Sequence, residues 1–329
     1  MILEKTLGKK RKMIIIINTF FIIFLLLFLF YKWQLVTSSG YLFLGDKNYE
    51  NNDYDRSLKN YKYVSAIGGN RSTIYLAKLK SSEIFYSHGL LDEAERELKE
   101  AIKEVKNDFR AYEAMGDVYY AKRNMSNSIS YYKKALELEN KEEINIKLAK
   151  SFIADKNISK ANDIFLKLYL EDKHSNEVSY YLGLLSFYEK ESFNNYFQEV
   201  EKSDDVDYRT KTNKIKEYLD NYDSIENEVY SNVLVANLYN AINEPYLAIE
   251  KGKLVAEENP GYRDVFIVLG KSNFIIGDYK KSYENFNRAL ELDSHNPEIN
   301  FWLGSVYEEI GNDLKAEEFM DKYRMLVSE

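Results

Sequence analysis

One spacing recurs along this chain and leaves it few folds to choose from. A small residue is followed twelve positions later by another small residue, then four later by a bulky one, then three later by a small or apolar one. The sets are Gly45/Ser57/Tyr61/Val64, Ser82/Ala94/Leu98/Ala101, Gly116/Ser128/Tyr132/Ala135 and Ala149/Ala161/Phe165/Leu168. After an interruption come Ala236/Ala248/Gly252/Val255, Gly270/Ser282/Phe286/Ala289 and Gly304/Ala316/Met320/Tyr323. Gly183 opens a further, degenerate set whose second half fails the pattern. Successive first members stand 37, 34, 33, 34, 53, 34 and 34 residues apart. A period in the thirties marks stacked units, none of which can bury its apolar face alone.

The spacing fits two antiparallel helices per unit. Gly116 and Gly304 lie inside apolar-periodic stretches, where glycine costs about 1 kcal/mol relative to alanine. That cost is explained if two helices approach there and a side chain would clash. Ser128 and Ala316 are then the facing small residues, and Tyr132 and Phe286 are expected to fill the gap between units. Turn residues fall between the helices at Ser87-His88-Gly89, Gly277-Asp278 and Gly311-Asn312. Asn259-Pro260-Gly261 and His295-Asn296-Pro297 fall between units, where a helix must stop or start. Three prolines in 329 residues suit a helical protein.

On these residues the chain resembles the tetratricopeptide repeat (TPR) family. The matching positions include Leu303, Gly304, Tyr307, Ala316 and Tyr323 in the last unit. In the third unit they are Tyr112, Met115, Gly116, Tyr119 and Ala135. Pro260 matches the family's closing proline. The resemblance covers roughly residues 38–200 and 229–329. It implies an all-α fold, a right-handed α-solenoid of about eight helical hairpins with a concave groove and capping terminal units. Lys315, Glu317, Glu318, Asp321, Lys322 and Arg324 give the last helix the polar face of a cap. Residues 201–228 break the register and read as an irregular helical connector, with one charged helix over Tyr208–Tyr222. The N-terminal block is then 38–200 and the C-terminal block 229–329.

Ahead of the repeats, Met13–Tyr31 is a nineteen-residue run broken only by Asn18 and Thr19. As a helix it reaches about 28 Å, close to the hydrocarbon thickness of a bilayer. Fifteen of its residues are Ile, Leu or Phe, which favours insertion by roughly 5–9 kcal/mol before the cost of Asn18. The heavier positive flank, Lys9-Lys10-Arg11-Lys12, precedes it, so residues 1–12 are expected in the cytoplasm, 13–33 in the membrane and the rest across it. A cleaved signal peptide fits less well, because the run is long and only Val36-Thr37-Ser38 follows as a cleavage site. Residues 1–32 carry a net charge of +5, leaving −13 on the remainder of a chain whose total is −8. An acidic body argues against nucleic acid and against lying on anionic lipid.

Catalytic chemistry finds no foothold. The chain has no cysteine, which removes disulfides, thiolate metal sites, a cysteine nucleophile and lipidation through cysteine. His88, His174 and His295 are far apart and fall at expected turns or unit boundaries. Gly270-Lys271-Ser272 ends like a phosphate loop, but the glycine required five residues earlier is Val265, and the tripeptide lies mid-helix. Asp204, Asp205 and Asp207 lack the glycine and distal glutamate of a calcium loop. An enzyme is not expected, and neither is a cofactor, a metal or a small-molecule substrate.

The resemblance implies that the first helix of each unit lines the groove. In that register the lining is Leu79, Glu83 and Tyr86, then Glu113, Asp117 and Tyr120. Next come Ile146, Lys150 and Ile153, then Tyr180, Leu184 and Phe187. In the second block it is Val233, Asn237, Ile267, Lys271, Phe274 and Phe301. The result is an aromatic and acidic surface suited to an extended or helical peptide bearing basic residues. The family's carboxylate clamp is not matched, since Glu113, Asp117, Val233, Val268 and Trp302 stand at its positions and only Asn237 fits. A mitochondrial import receptor would need its repeats on the positively flanked side, opposite to this chain. The expectation is a scaffold anchored in the inner membrane with its repeats in the periplasm or outside the cell. It would serve an envelope assembly such as a motility, pilus or secretion machine. Similar architectures include TPR collar proteins around periplasmic flagellar motors. The alternative is a translocon-associated or envelope chaperone binding unfolded clients.

Overall fold

The computed structural model describes residues 2–171, 175–188, 194–222 and 227–328. These form seventeen helices, with no strand among the described residues. The chain divides into two compact units, Met1–Leu148 and Ala149–Glu329. In the first unit, α1 (Ile2–Glu50) pairs with α2 (Tyr54–Ile67), α3 (Arg71–Ser87) with α4 (Leu91–Glu104), and α5 (Phe109–Ala121) with α6 (Met125–Leu138). The boundary between units falls inside α7 (Glu142–Ala154), which a short turn joins to α8 (Ile158–Tyr169). In the second unit, α9 (Asn176–Tyr188) pairs with α10 (Asn194–Glu201), and α11 (Val206–Tyr222) stands alone. Three regular pairs follow: α12 (Glu228–Ala241) with α13 (Pro245–Glu258), α14 (Arg263–Ile275) with α15 (Tyr279–Leu292), and α16 (Pro297–Glu309) with α17 (Asp313–Ser328). Eight hairpins and one extra helix account for the spacing.

The small residues bring the two helices of a hairpin together. Ser57, Ser128 and Ser282 each donate a hydroxyl hydrogen bond to the carbonyl twelve residues earlier, at Gly45, Gly116 and Gly270, over 2.9, 3.0 and 2.9 Å. Above each glycine lies the ring sixteen residues on. A Cβ on Gly270 would stand 2.6 Å from the Phe286 ring, closer than packed atoms come. Tyr61 and Tyr132 cover Gly45 and Gly116 in the same way. The bulky residues therefore fill the interior of their own hairpin, not the gap between units. Gly183 is covered too, but by Phe197, fourteen residues on. The degenerate unit is a hairpin with a shifted ring.

The turns repeat as strictly. Seven residues after the first small residue of each regular set, the chain enters the left-handed region, at Asn52, Gly89, Arg123, Lys156, Asn243, Gly277 and Gly311. The next residue begins the second helix. Asp53, Asn124, Asn157, Asp278 and Asn312 cap it there, each side chain accepting from a backbone N–H three residues on. Leu90 and Glu244 occupy the same position and make no such bond.

Helix α1 is continuous from the apolar run into the first repeat. Its side chains from Ile17 to Tyr31 are exposed, Phe20 by 69% and Leu27 by 62%, and it is long and apolar enough to be a membrane span or a signal sequence. Repeat packing begins at Gln34, whose amide donates to the Ile67 carbonyl at 3.0 Å, and at buried Ser38. No linker separates the two parts. The register break is also bridged. Helix α11 packs against α9, α10 and α12, with Thr212 and Ile215 fully buried, although residues 223–226 lie outside the described set. On α17 the charged positions Lys315, Glu317, Glu318, Asp321, Lys322 and Arg324 are exposed, but so are Leu314, Met325 and Val327.

Candidate functional site

In the first unit, the residue after each first small residue is acidic: Asp46, Glu83 and Asp117. The first helices of the hairpins put them on one face, and contacts one repeat apart join that face. Lys80 pairs with Asp46 at 3.1 Å, and Tyr49 donates to Glu83 at 3.1 Å. Lys147 donates to Glu113 at 2.7 Å and to Asp117 at 2.9 Å. Tyr61 and Tyr132, the rings that cover the glycines, extend their hydroxyls to Asp46 at 2.8 Å and Asp117 at 2.6 Å. Burial works against the Lys147 charge, but Asp117 and Glu113 outweigh it and its pKa rises. Burial and Asp117 likewise hold the Tyr86 hydroxyl neutral.

Between α3 and α5 this face opens into a cavity of about 160 Å³, lined by Leu79, Ser82, Glu83, Tyr86, Leu98, Ala114, Asp117 and Val118. Four of the expected groove residues, Leu79, Glu83, Tyr86 and Asp117, thus meet at one place, with Glu113 tied to it through Lys147. Tyr86 is 42% exposed and Glu83 is exposed. The cavity is about the size of one apolar side chain, and the carboxylates of Glu83 and Asp117, already bonded to Tyr49 and to Lys147 and Tyr132, lie at its edge.

The other expected groove residues are distributed differently. Tyr120 is half-buried and does not line the cavity. Ile146 and Ile153 are buried, and Lys150 pairs with Glu177 and lies over the Tyr181 ring. Tyr180, Leu184 and Phe187 lie in the interior. Helix α11 covers this part of α9, with Tyr208 against Tyr180 at 4.9 Å and Tyr218 against Phe187 at 6.1 Å. Val233 and Ile267 are buried core. Asn237 is half-buried. Lys271 pairs with Glu298 over Trp302, and Phe274 and Phe301 both pack on that indole.

A second polar cluster, which the sequence did not disclose, sits beside α11. Glu244 is partly exposed at its turn, but its carboxylate points inward and accepts the Tyr181 hydroxyl at 2.9 Å. Tyr181 stacks on Phe165, and the buried hydroxyls of Tyr180 and Tyr239 have no hydrogen-bond partner among the described residues. Burial pushes the Glu244 carboxyl up from 4.5 to about 7, against the pull of Tyr181, Lys150 and Lys211. The signal that could have found it is its place: Glu244 stands where Asp or Asn caps five of the other hairpins.

The remaining candidates have structural partners. The His88 ring meets the Ile84 carbonyl at 2.8 Å and the edge of Tyr54. His295 lies in the α15–α16 connection, and His174 lies outside the described residues. Gly270-Lys271-Ser272 is mid-helix in α14, with the Ser272 hydroxyl turned to Asn240 and the Val268 carbonyl.

Two family matches agree with the repeat pattern. Residues 31–154 match the family described as a tetratricopeptide repeat-like domain, and residues 270–311 match the TPR repeat family. A TPR repeat-containing protein of Methanocaldococcus jannaschii is 25% identical over 257 residues, which is 76% of this chain and 44% of that protein. The chain therefore spans less than half the length of this curated relative. Among solved structures, pilF of Pseudomonas aeruginosa is 12% identical, with 78% of this chain and 93% of that chain covered and a TM-score of 0.34. A tetratricopeptide repeat protein from Parabacteroides merdae is 14% identical, with 77% and 93% covered and a TM-score of 0.34.

Proposed function

The chain belongs to the tetratricopeptide repeat family, and from that premise we propose that it is a non-catalytic scaffold anchored in the inner membrane. Proteins of this family act as protein-interaction scaffolds. In the proposed arrangement residues 1–12 are cytoplasmic, residues 13–33 span the membrane, and the repeats recruit a protein of an envelope assembly on the far side. The observation that carries the reading is the cavity between α3 and α5, an apolar socket ringed by Glu83, Asp117 and exposed Tyr86. It suits a helix or extended segment that inserts one apolar side chain and sets a Lys or Arg beside the carboxylates.

The test is affinity capture of the full chain from detergent-solubilised membranes, beside the variant Glu83→Lys/Tyr86→Ala. Both side chains are exposed, so the fold should persist. Loss of an aromatic anchor and reversal of a charge should weaken capture of a stoichiometric partner by about tenfold or more. Equal recovery by both proteins would move the site elsewhere. A broad spectrum of unfolded clients, unaffected by the substitutions, would favour the chaperone alternative. Orientation is tested separately with a reporter fused after Glu329, which should be active only on the far side of the membrane. Activity on the cytoplasmic side would reverse the topology.

A further inference from the structure

The packing of this molecule follows a consistent rule: a glycine inside a repeat helix is there because a neighbouring side chain occupies the space of its Cβ. Gly45, Gly116, Gly183, Gly252, Gly270 and Gly304 are filled in turn by Tyr61, Tyr132, Phe197, Leu269, Phe286 and Met320. Gly40 is the exception. It lies in the middle of α1, at a cost of about 1 kcal/mol relative to alanine, and beyond its own helical turn no atom of the described residues comes within 4 Å of the place its Cβ would take. Around this hole stand Val36, Phe43 and Leu44, exposed by 72, 67 and 46%.

These residues belong to a seam. Trp33, Val36, Gly40 and Phe43 alternate in steps of three and four, the period that keeps one face of a helix toward a partner helix. The same steps lead back through Leu29, Leu26 and Ile22, all exposed. The opposite side of α1 is engaged by its own repeat. Ser38 and Gly45 are buried, Gln34 bonds the Ile67 carbonyl, and Tyr41 meets Tyr63 at 5.1 Å. The seam therefore faces away from the repeats of its own unit and has no partner among the described residues.

We infer that the seam is the contact between two copies of this chain, paired in parallel along α1 from the apolar run to Phe43. Three observations favour a second copy. The seam continues directly from the apolar run, so its partner emerges from the same membrane beside it; this rests on the anchor reading above. Copies anchored alike present the seam at the same height and in the same direction. Identical residues then face each other, and the stretch from Trp33 to Gly45 carries no charged residue, so no like charges oppose across it. Long helical side chains lean toward the N-terminus of their helix. Phe43 of one copy accordingly leans over Gly40 of the other, as Tyr132 covers Gly116 within a hairpin.

The absence of cysteine makes the test direct. Val36→Cys is introduced into the full chain and oxidised in native membranes, beside Lys59→Cys on the exposed face of α2. The expected result is a disulfide-linked dimer about tenfold more abundant for Val36→Cys than for Lys59→Cys. Adding Gly40→Leu fills the hole from a position whose Cβ meets nothing beyond its own helical turn, and should cut that yield by a similar factor. Equal yields at the two cysteines, an unchanged dimer with Gly40→Leu, or linkage of Val36→Cys to a different protein would each overturn the pairing. Alkaline carbonate extraction decides the anchor independently. If the chain is released, the anchor reading falls, and the same oxidation of purified chain in detergent still decides the seam.

Discussion

Gly270→Ala is expected to cost the second unit about 2 kcal/mol of stability, although alanine is the better helix former by about 1 kcal/mol. The added methyl group would stand 2.6 Å from one atom of the Phe286 ring and 2.7 Å from two more. The ring has no room to retreat. Phe286 is fully buried with Ile267, Ala289, Ile299, Leu303 and Val306, and it stacks on Trp302 at 5.8 Å. Either α14 and α15 must separate, stretching the Ser282–Gly270 bond, or Phe286 must leave its rotamer. Trp302 reports the outcome, since the only other tryptophan is Trp33. Urea unfolding followed by its fluorescence should show an earlier transition. Phe286→Met should restore part of the loss, because Met320 sits over Gly304 with contacts relaxed to 3.0 Å. A midpoint unmoved by Gly270→Ala would show that the helices are not held at this separation.

The second unit should become less stable as pH rises from 5 to 8, and Glu244 should be the cause. Its carboxyl titrates near 7 in the fold against 4.5 unperturbed, chiefly because burial disfavours the charge. Between those values the folded chain holds a proton that the unfolded chain has released. The stabilising contribution is complete below pH 4.5 and is lost as pH rises through 7, at up to about 1.4 kcal/mol per pH unit. Because the residue is partly exposed at its turn, about 2 kcal/mol is expected across the whole interval. Carboxylates that are pulled down, such as Glu95 at about 2, titrate below it. Glu244→Gln keeps an acceptor for Tyr181 and removes the proton, so its stability should be nearly flat over this range. Urea midpoints measured at intervals of pH provide the check. A glutamine variant that retained the wild-type slope would assign the effect to another group.

The parts of the fold that could be read from sequence are those whose partners lie within one hairpin. Glycine, serine and ring recur at fixed offsets because the turn between them has fixed length, so the offset survives whatever the neighbouring units do. Gly183 shows the limit. Its ring is Phe197 rather than the residue sixteen on, and a search at constant spacing passes over it. The meeting of four expected residues at one cavity was legible for the same reason, and the register failed at the same place. Leu79, Glu83, Tyr86 and Asp117 converge where units are regular. Tyr180 and Phe187 stand in register with them, yet α11, which has no counterpart in the repeat, lies over them. Glu244 was invisible because a capping position is expected to bond its own helix, and here the side chain reaches α9 instead. The continuity of α1 was not legible either, since nothing in the composition between Trp33 and Gly45 reveals that the helix never stops.

With the apolar run lodged in a membrane, as proposed, that unbroken helix becomes a lever. From Gln34 to Glu50 it rises about 25 Å beyond the apolar run, with no turn at which to absorb an angle. A tilt of about 20°, ordinary for a spanning helix, carries its far end roughly 9 Å sideways. A thinner or thicker bilayer would change that tilt and swing the first hairpin with it, so lipid composition would steer where the socket is held.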